Sequence, residues 1–169
     1  MNTIERKPLW PLVLSIAGSA LMLLSVFLPY ASAADDTIFR RSPDVVSDGV
    51  RAGDLADVSM FDFARLYRRM ASSSVQRAQA TVTTVLVVAI ACAAVLALVF
   101  ALLRKGVPTI VFTVVAFAAF LAFNWDFSDR GVVGGDTYGL GFGYYLFFVA
   151  AAIALAGGIW TVVAKRRAR

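Results

Sequence analysis

Four stretches of this chain run on without one charged side chain: Leu9 to Ala31, Ala80 to Leu103, Val107 to Trp125 and Tyr138 to Ala164. A helix rising about 1.5 Å per residue needs about 20 apolar residues to cross the hydrocarbon core of a bilayer, and each stretch meets that length. Helices are the economical reading, because backbone amides surrounded by lipid must be bonded within their own segment. Pro11 and Pro108 fall in the first turns of their stretches, where a missing N–H costs little. Pro29 falls near the far end of the first stretch and is expected to end or kink it.

The chain has 169 residues, 60% hydrophobic and 16% charged, with a mean hydropathy of +0.77. Soluble domains sit near one half apolar and one quarter charged, so composition and span pattern agree on an all-α membrane protein forming one membrane domain over 1–169. The net charge of +5 is distributed as an orientation signal rather than as a nucleic-acid footprint. Arg6 and Lys7 precede the first span, Arg104 and Lys105 form the short joint between the second and third, and Lys165, Arg166, Arg167 and Arg169 follow the last. Only one acid, Glu5, accompanies them. Short basic segments stay in the cytoplasm. The expected topology is therefore four transmembrane helices in the plasma membrane with both termini cytoplasmic, leaving loops 32–79 and 126–137 outside. Trp10 and Trp160 near the inner ends, and Tyr30, Trp125, Tyr138, Tyr144 and Tyr145 near the outer ends, suit interfacial positions. Lys7, the apolar stretch and Ala31-Ser32-Ala33 also have the layout of a signal peptide. The run from Leu12 to Leu28 exceeds a typical signal core, which favours a retained anchor.

Several activities are disfavoured by what the chain contains. It has no histidine and one cysteine, Cys92. That excludes a Ser-His-Asp or Cys-His mechanism, and a lone thiol forms neither an internal disulfide nor a structural zinc site. Asp35, Asp36, Asp44, Asp48, Asp54, Asp57 and Asp62 crowd the first outer loop, but their spacing is not that of an EF-hand and arginines of the same loop balance them. The glycine-rich run Gly139-Leu140-Gly141-Phe142-Gly143 lacks the strand and βαβ unit of a dinucleotide site. The expectation is no cofactor, no metal, no nucleic acid and no enzymatic activity. An enzyme would have to draw on loop residues such as Asp126, Asp129 and Asp136. No acid or lysine lies at membrane depth, which counts against ion-coupled transport; Asn124 and Asp126 read as the wet end of the third span.

Two kinds of contact surface stand out. Gly139, Gly143, Ala150, Ala154 and Gly158 form a small-residue stripe on the last span, and Ala89, Ala93, Ala97 and Ala101 form another on the second. This spacing lets helices approach closely, either inside the bundle or against a partner. In the long loop, residues 59–79 read as an amphipathic helix. Ser59 with Asp62 approximates a capping box, and Phe63, Leu66, Tyr67 and Met70 make one apolar face that either lies on the membrane or the protein itself, or docks a partner. Asp35 to Val58 reads as irregular chain.

Phe27-Leu28-Pro29-Tyr30, Val58-Ser59-Met60-Phe61-Asp62 and the Gly139 to Leu146 run together resemble small, uncharacterised four-span membrane proteins of bacteria, of actinobacterial type. Tyr30 stands where that pattern often has Trp. The resemblance implies a layout and carries neither an activity nor site residues. The layout is also similar to claudins, but the outer loop lacks their Gly-Leu-Trp motif and cysteine pair. Thirteen arginines against three lysines suit a high-GC bacterial source. The functional expectation is a non-catalytic accessory or assembly subunit of a larger membrane complex, respiratory, secretory or envelope-building, with lipids and other integral membrane subunits as partners. A small homo-oligomeric channel or transporter is the alternative, and it predicts solute flux by this protein alone.

Overall fold

A computed structural model describes residues 9–47 and 49–167. Glu5, Arg6, Lys7, Asp48 and Arg169, used in the sequence reading, lie outside them. Among the described residues three helices are long and apolar enough to cross a membrane: α4 (Ser74–Leu102), α5 (Gly106–Asp129) and α6 (Phe142–Arg167). A fourth apolar helix, α1 (Trp10–Ser25), has 16 residues, about 24 Å of rise, and is shorter than the hydrocarbon core. The first stretch is thus not helical to Ala31. Beyond Ser25 the amides of Val26, Phe27 and Leu28 bond three residues back, to Leu23, Leu24 and Ser25, which is the tightening of a terminal 3₁₀ turn. Pro29 then breaks the path, as its ring disfavours helical geometry at Leu28.

The other helix limits also differ from the expectation. α4 begins six residues before Ala80, because Ser73 and Gln76 form a reciprocal capping box. α5 runs four residues past Trp125, and α6 begins at Phe142 rather than Tyr138. Between α4 and α5, Arg104 takes the left-handed conformation at φ 55°, while Lys105 N–H bonds the Phe100 carbonyl at 2.9 Å. Such a cap closes a helix and reverses the chain within a few residues.

α1 packs on α6 and α4, and α5 packs on α4 and α6, so the four helices form a closed ring. The α1–α6 seam is the most intimate contact. A β-carbon at Gly18 would stand 2.8 Å from the Ala150 carbonyl oxygen, and one at Gly157 would stand 2.9 Å from the Pro11 carbonyl oxygen. Backbone touches backbone there, which small residues alone permit. Of the expected stripe on α6, Gly143, Ala150, Ala154 and Gly158 are buried inside the ring. Gly158 faces Gly106 and Ile110 of α5. Gly139 is not part of the stripe; it lies in a strand and is exposed. On α4, Ala93, Ala97 and Ala101 are buried and Ala89 is half-buried. Both stripes are used within the chain.

One end of the ring carries a small cap. Strands β1 (Pro29–Ala33), β4 (Asp57–Ser59) and β5 (Tyr138–Leu140) form an antiparallel sheet in the order β4-β1-β5. Ala31 sits opposite both Val58 and Leu140, and Ser32 opposite Asp57 and Gly139. Between β1 and β4, where an irregular chain was expected, the described residues include a short helix α2 (Ile38–Arg41), the paired strands β2 (Val46–Ser47) and β3 (Val50–Arg51), and a 3₁₀ turn over Ala52–Leu55. The amphipathic segment is α3 (Met60–Met70), followed by a break at 71–73. It does not run to residue 79. The expected capping box is present: Ser59 Oγ accepts from the Asp62 N–H at 3.1 Å, and the Asp62 carboxylate accepts from the Ser59 N–H at 3.4 Å and from its hydroxyl at 2.6 Å.

Candidate functional site

The cap is fastened to the ring through a dense aromatic cluster centred on Tyr30. β1 holds this ring with no solvent exposure. Phe120, Phe123 and Phe127 recur at three- and four-residue intervals on α5 and so share one helix face. All three meet Tyr30 edge-on, with centroids 6.2, 5.0 and 6.0 Å away. Phe63 of α3 and Tyr144 of α6 complete the shell at 6.4 and 6.0 Å. Phe120 stacks on Phe147 at 4.1 Å and Phe123 on Phe127 at 4.2 Å. Edge-on and offset pairs each add about 0.5–1.5 kcal/mol beyond the area they bury. A buried phenol also needs a polar partner, and Tyr30 Oη donates to Asn124 Oδ1 at 2.8 Å.

A second polar fastening lies beside the cluster. Arg130, just past α5, donates from Nε to Asp126 Oδ1 at 3.1 Å, and its Nη2 pairs with the other carboxylate oxygen. Its Nη1 donates to Thr83 Oγ1 on α4 at 3.2 Å. The guanidinium carbon lies 5.6 Å from the centroid of Tyr67 and 5.8 Å from that of Phe127. One cation therefore links α3, α4 and α5 by charge, hydrogen bond and ring face. Asp126 is accordingly not a free carboxylate at a wet helix end. At the far side of the cap, Tyr138 Oη donates to the Leu55 carbonyl at 2.6 Å, and its ring stacks on Phe39 at 5.7 Å. Burial pushes the Tyr138 phenol up to about 12, so it remains a donor across the neutral range.

This geometry reassigns the expected docking face. Phe63 is buried, Leu66 and Tyr67 are half-buried, and only Met70 is exposed, at 59%. Phe63 packs on Phe127 at 4.9 Å and Tyr67 on Phe127 at 5.8 Å, so the apolar face of α3 is turned onto the protein. Asp129 and Asp136 are exposed, and the ion pair of Arg130 is with Asp126. Cys92 is exposed on α4. Asp35 and Asp57 both approach Arg40, at 3.6 and 3.1 Å, and among the described residues no three acid or thiol side chains gather as a metal site would require.

Sequence reasoning missed both fastenings. Asp126 in the last turn of α5 and its C-cap Arg130 are four apart, the spacing of a favourable surface pair, and that signal was legible. The Tyr30–Asn124 bond joins residues 94 apart and had no local signal. Comparisons with protein-family models, with curated proteins and with solved structures each return no match.

Proposed function

We propose that the chain is a four-span, non-catalytic accessory or assembly subunit of a larger bacterial plasma-membrane complex, with both termini on the cytoplasmic side. The cationic turn Arg104-Lys105 and the tail Lys165-Arg166-Arg167 lie at the end of the ring opposite the cap, which supports the orientation by the positive-inside bias. The hydrogen-bonded turns that carry the chain on from Ser25 to Leu28 lengthen the apolar path of α1 and support a fourth crossing.

The observation that carries the reading is the state of the cap's side chains. The rings of Tyr30, Phe63 and Tyr138 are committed to internal contacts, yet Ile38, Val45 and Val46 are exposed at 58%, 47% and 59%. They lie in sequence among Arg40, Arg41 and Asp44, charges that are costly to bury in lipid tails. A contiguous exposed apolar patch marks contact with another protein, and Ile38, Val45 and Val46 are the cap's candidates for one. A pore within one copy is disfavoured, because Phe120, Phe123, Phe127 and Phe147 fill the ring near the cap. The buried hydroxyls of Ser15 and Thr113 bond to carbonyls of their own helices.

Purification in mild detergent followed by mass spectrometry tests the proposal. A stoichiometric integral-membrane companion is expected, and I38S/V46S should lose it while keeping its own thermal midpoint. A monodisperse particle containing this chain alone would sink the idea.

A further inference from the structure

The elbow between α3 and α4 opens a groove of about 490 Å³, lined by Arg68 and Ala71 on one side and by Arg77, Ala80, Thr81 and Thr84 on the other. Arg68 has a local explanation, since it occupies the last turn of α3, where a cation suits the exposed carbonyls. Arg77 has none. It lies in the first turns of α4, whose opening contains no acid, so it faces the positive end of that helix. Its one polar contact is a long bond from Nη2 to the Ser72 carbonyl, at 3.5 Å. Among the described residues neither Arg68 nor Arg77 has a carboxylate partner, and neither do Arg65 and Arg69 on the same short helix. Two arginines and a helix N-terminus thus meet at one groove, and among the described residues neither arginine has a carboxylate partner.

The depth of that groove identifies what would neutralise it. α4 has 29 residues, about 43 Å of rise, which matches the roughly 40–45 Å of a bilayer with its headgroups. With Arg104 and Lys105 in one headgroup layer, Arg77 stands in the other. The groove then grades from arginine, through the hydroxyls of Thr81 and Thr84, to Val85, as a phospholipid grades from phosphate to acyl chain. We infer that this groove binds the phosphate of an anionic phospholipid, with Arg68 and Arg77 as its guanidinium contacts. Paired guanidinium donors suit phosphate oxygens better than ammonium groups do. The inference requires only that α4 crosses the membrane and is independent of the accessory-subunit proposal.

Native mass spectrometry of the full chain in a zwitterionic detergent provides the test, with titrations of phosphatidylglycerol, phosphatidylcholine and inorganic phosphate. The wild type should retain phosphatidylglycerol in preference to phosphatidylcholine. Each arginine removed should weaken retention about five-fold, and R68Q/R77Q about thirty-fold. R41Q/R51Q, which removes the same charge from the cap's hairpin region, should bind as wild type. Equal retention of the two lipids, or wild-type retention by R68Q/R77Q, overturns the assignment. So does loss in R166Q/R167Q instead, which would place the site at the opposite end. Inorganic phosphate that displaces the lipid at equal concentration would make a free anion the ligand and overturn the lipid assignment. Because Arg68 and Arg77 are exposed, R68Q/R77Q should keep its thermal midpoint in phosphatidylcholine, which separates lost binding from lost folding.

Discussion

The α1–α6 seam and the Tyr30 cluster hold the same molecule together by opposite means. At the seam, Gly18, Ala154 and Gly157 have almost no side chain, and two backbones touch. In the cluster, helices and strand are kept apart at a distance that aromatic rings fill, with Phe120, Phe123, Phe127 and Tyr30 all fully buried. Lipid removes most of the hydrophobic drive for one helix to leave its surroundings for another, so close van der Waals contact must supply the attraction at the seam. The cluster also meets polar atoms and the cap, so it adds directed bonds at Asn124 and Arg130. A seam of this kind tolerates no added volume; a cluster of this kind tolerates no loss of it.

That contrast is breakable by substitution in both directions. Phe123→Ala should cost the most, about 3–5 kcal/mol, because the deletion leaves a cavity among fixed rings. A thermal midpoint within 2 °C of wild type in detergent would show that the cluster repacks freely. Gly157→Leu should cost about 3 kcal/mol by forcing α1 from α6, and fluorescence-detected gel filtration should show a shifted or aggregated peak. Phe123→Leu and Gly157→Ala should each fall below its larger counterpart. If Gly157→Leu were neutral, the seam would not be closed in solution. Arg130→Met is expected to cost about 2 kcal/mol, since it leaves Asp126 half-buried without a cation, and Asp126→Asn should restore part of that loss. Failure of the second substitution to compensate would locate the effect in the ring-face contacts with Tyr67 and Phe127. Smallest is Tyr30→Phe, about 1 kcal/mol for the bond to Asn124. Its rings should stay packed, so near-ultraviolet circular dichroism should be nearly unchanged.

The parts of this fold written in local sequence were legible. Uncharged stretches located α4, α5 and α6, Pro29 marked the end of the first helical path, and Ser59 with Asp62 marked the start of α3. The small residues of α6 were recognisable as a contact stripe from Gly143 to Gly158. The sheet was not legible. β4 and β5 have three residues each, too few for a period of two to register, and β1 begins with a proline that reads as a helix stop. Their pairing comes from tertiary enclosure: Gly141 N–H bonds the Tyr30 carbonyl at 2.7 Å, and a β-carbon at Gly141 would lie 2.8 Å from the Pro29 carbonyl carbon. The break at 71–73 was available from Ser73 and Gln76, a second capping box that the long amphipathic pattern obscured. The inward turn of α3 was not, because an apolar helix face has the same sequence whether lipid, a partner or its own protein covers it.

The position of β1 in the middle of its sheet also orders events during synthesis. Its neighbours are β4, which follows after one loop, and β5, which immediately precedes the last helix. A ribosome delivers the chain from the amino end, so β1 and β4 can pair early, but one edge of β1 stays open until residues 138–140 exist. The same residues deliver Gly141 and Gly143 to the backbone of Leu28, Pro29 and Tyr30. Completion of the cap and arrival of α6 are therefore one event, and a nascent chain stalled before residue 138 exposes both an unpaired strand edge and an unfilled helix seam.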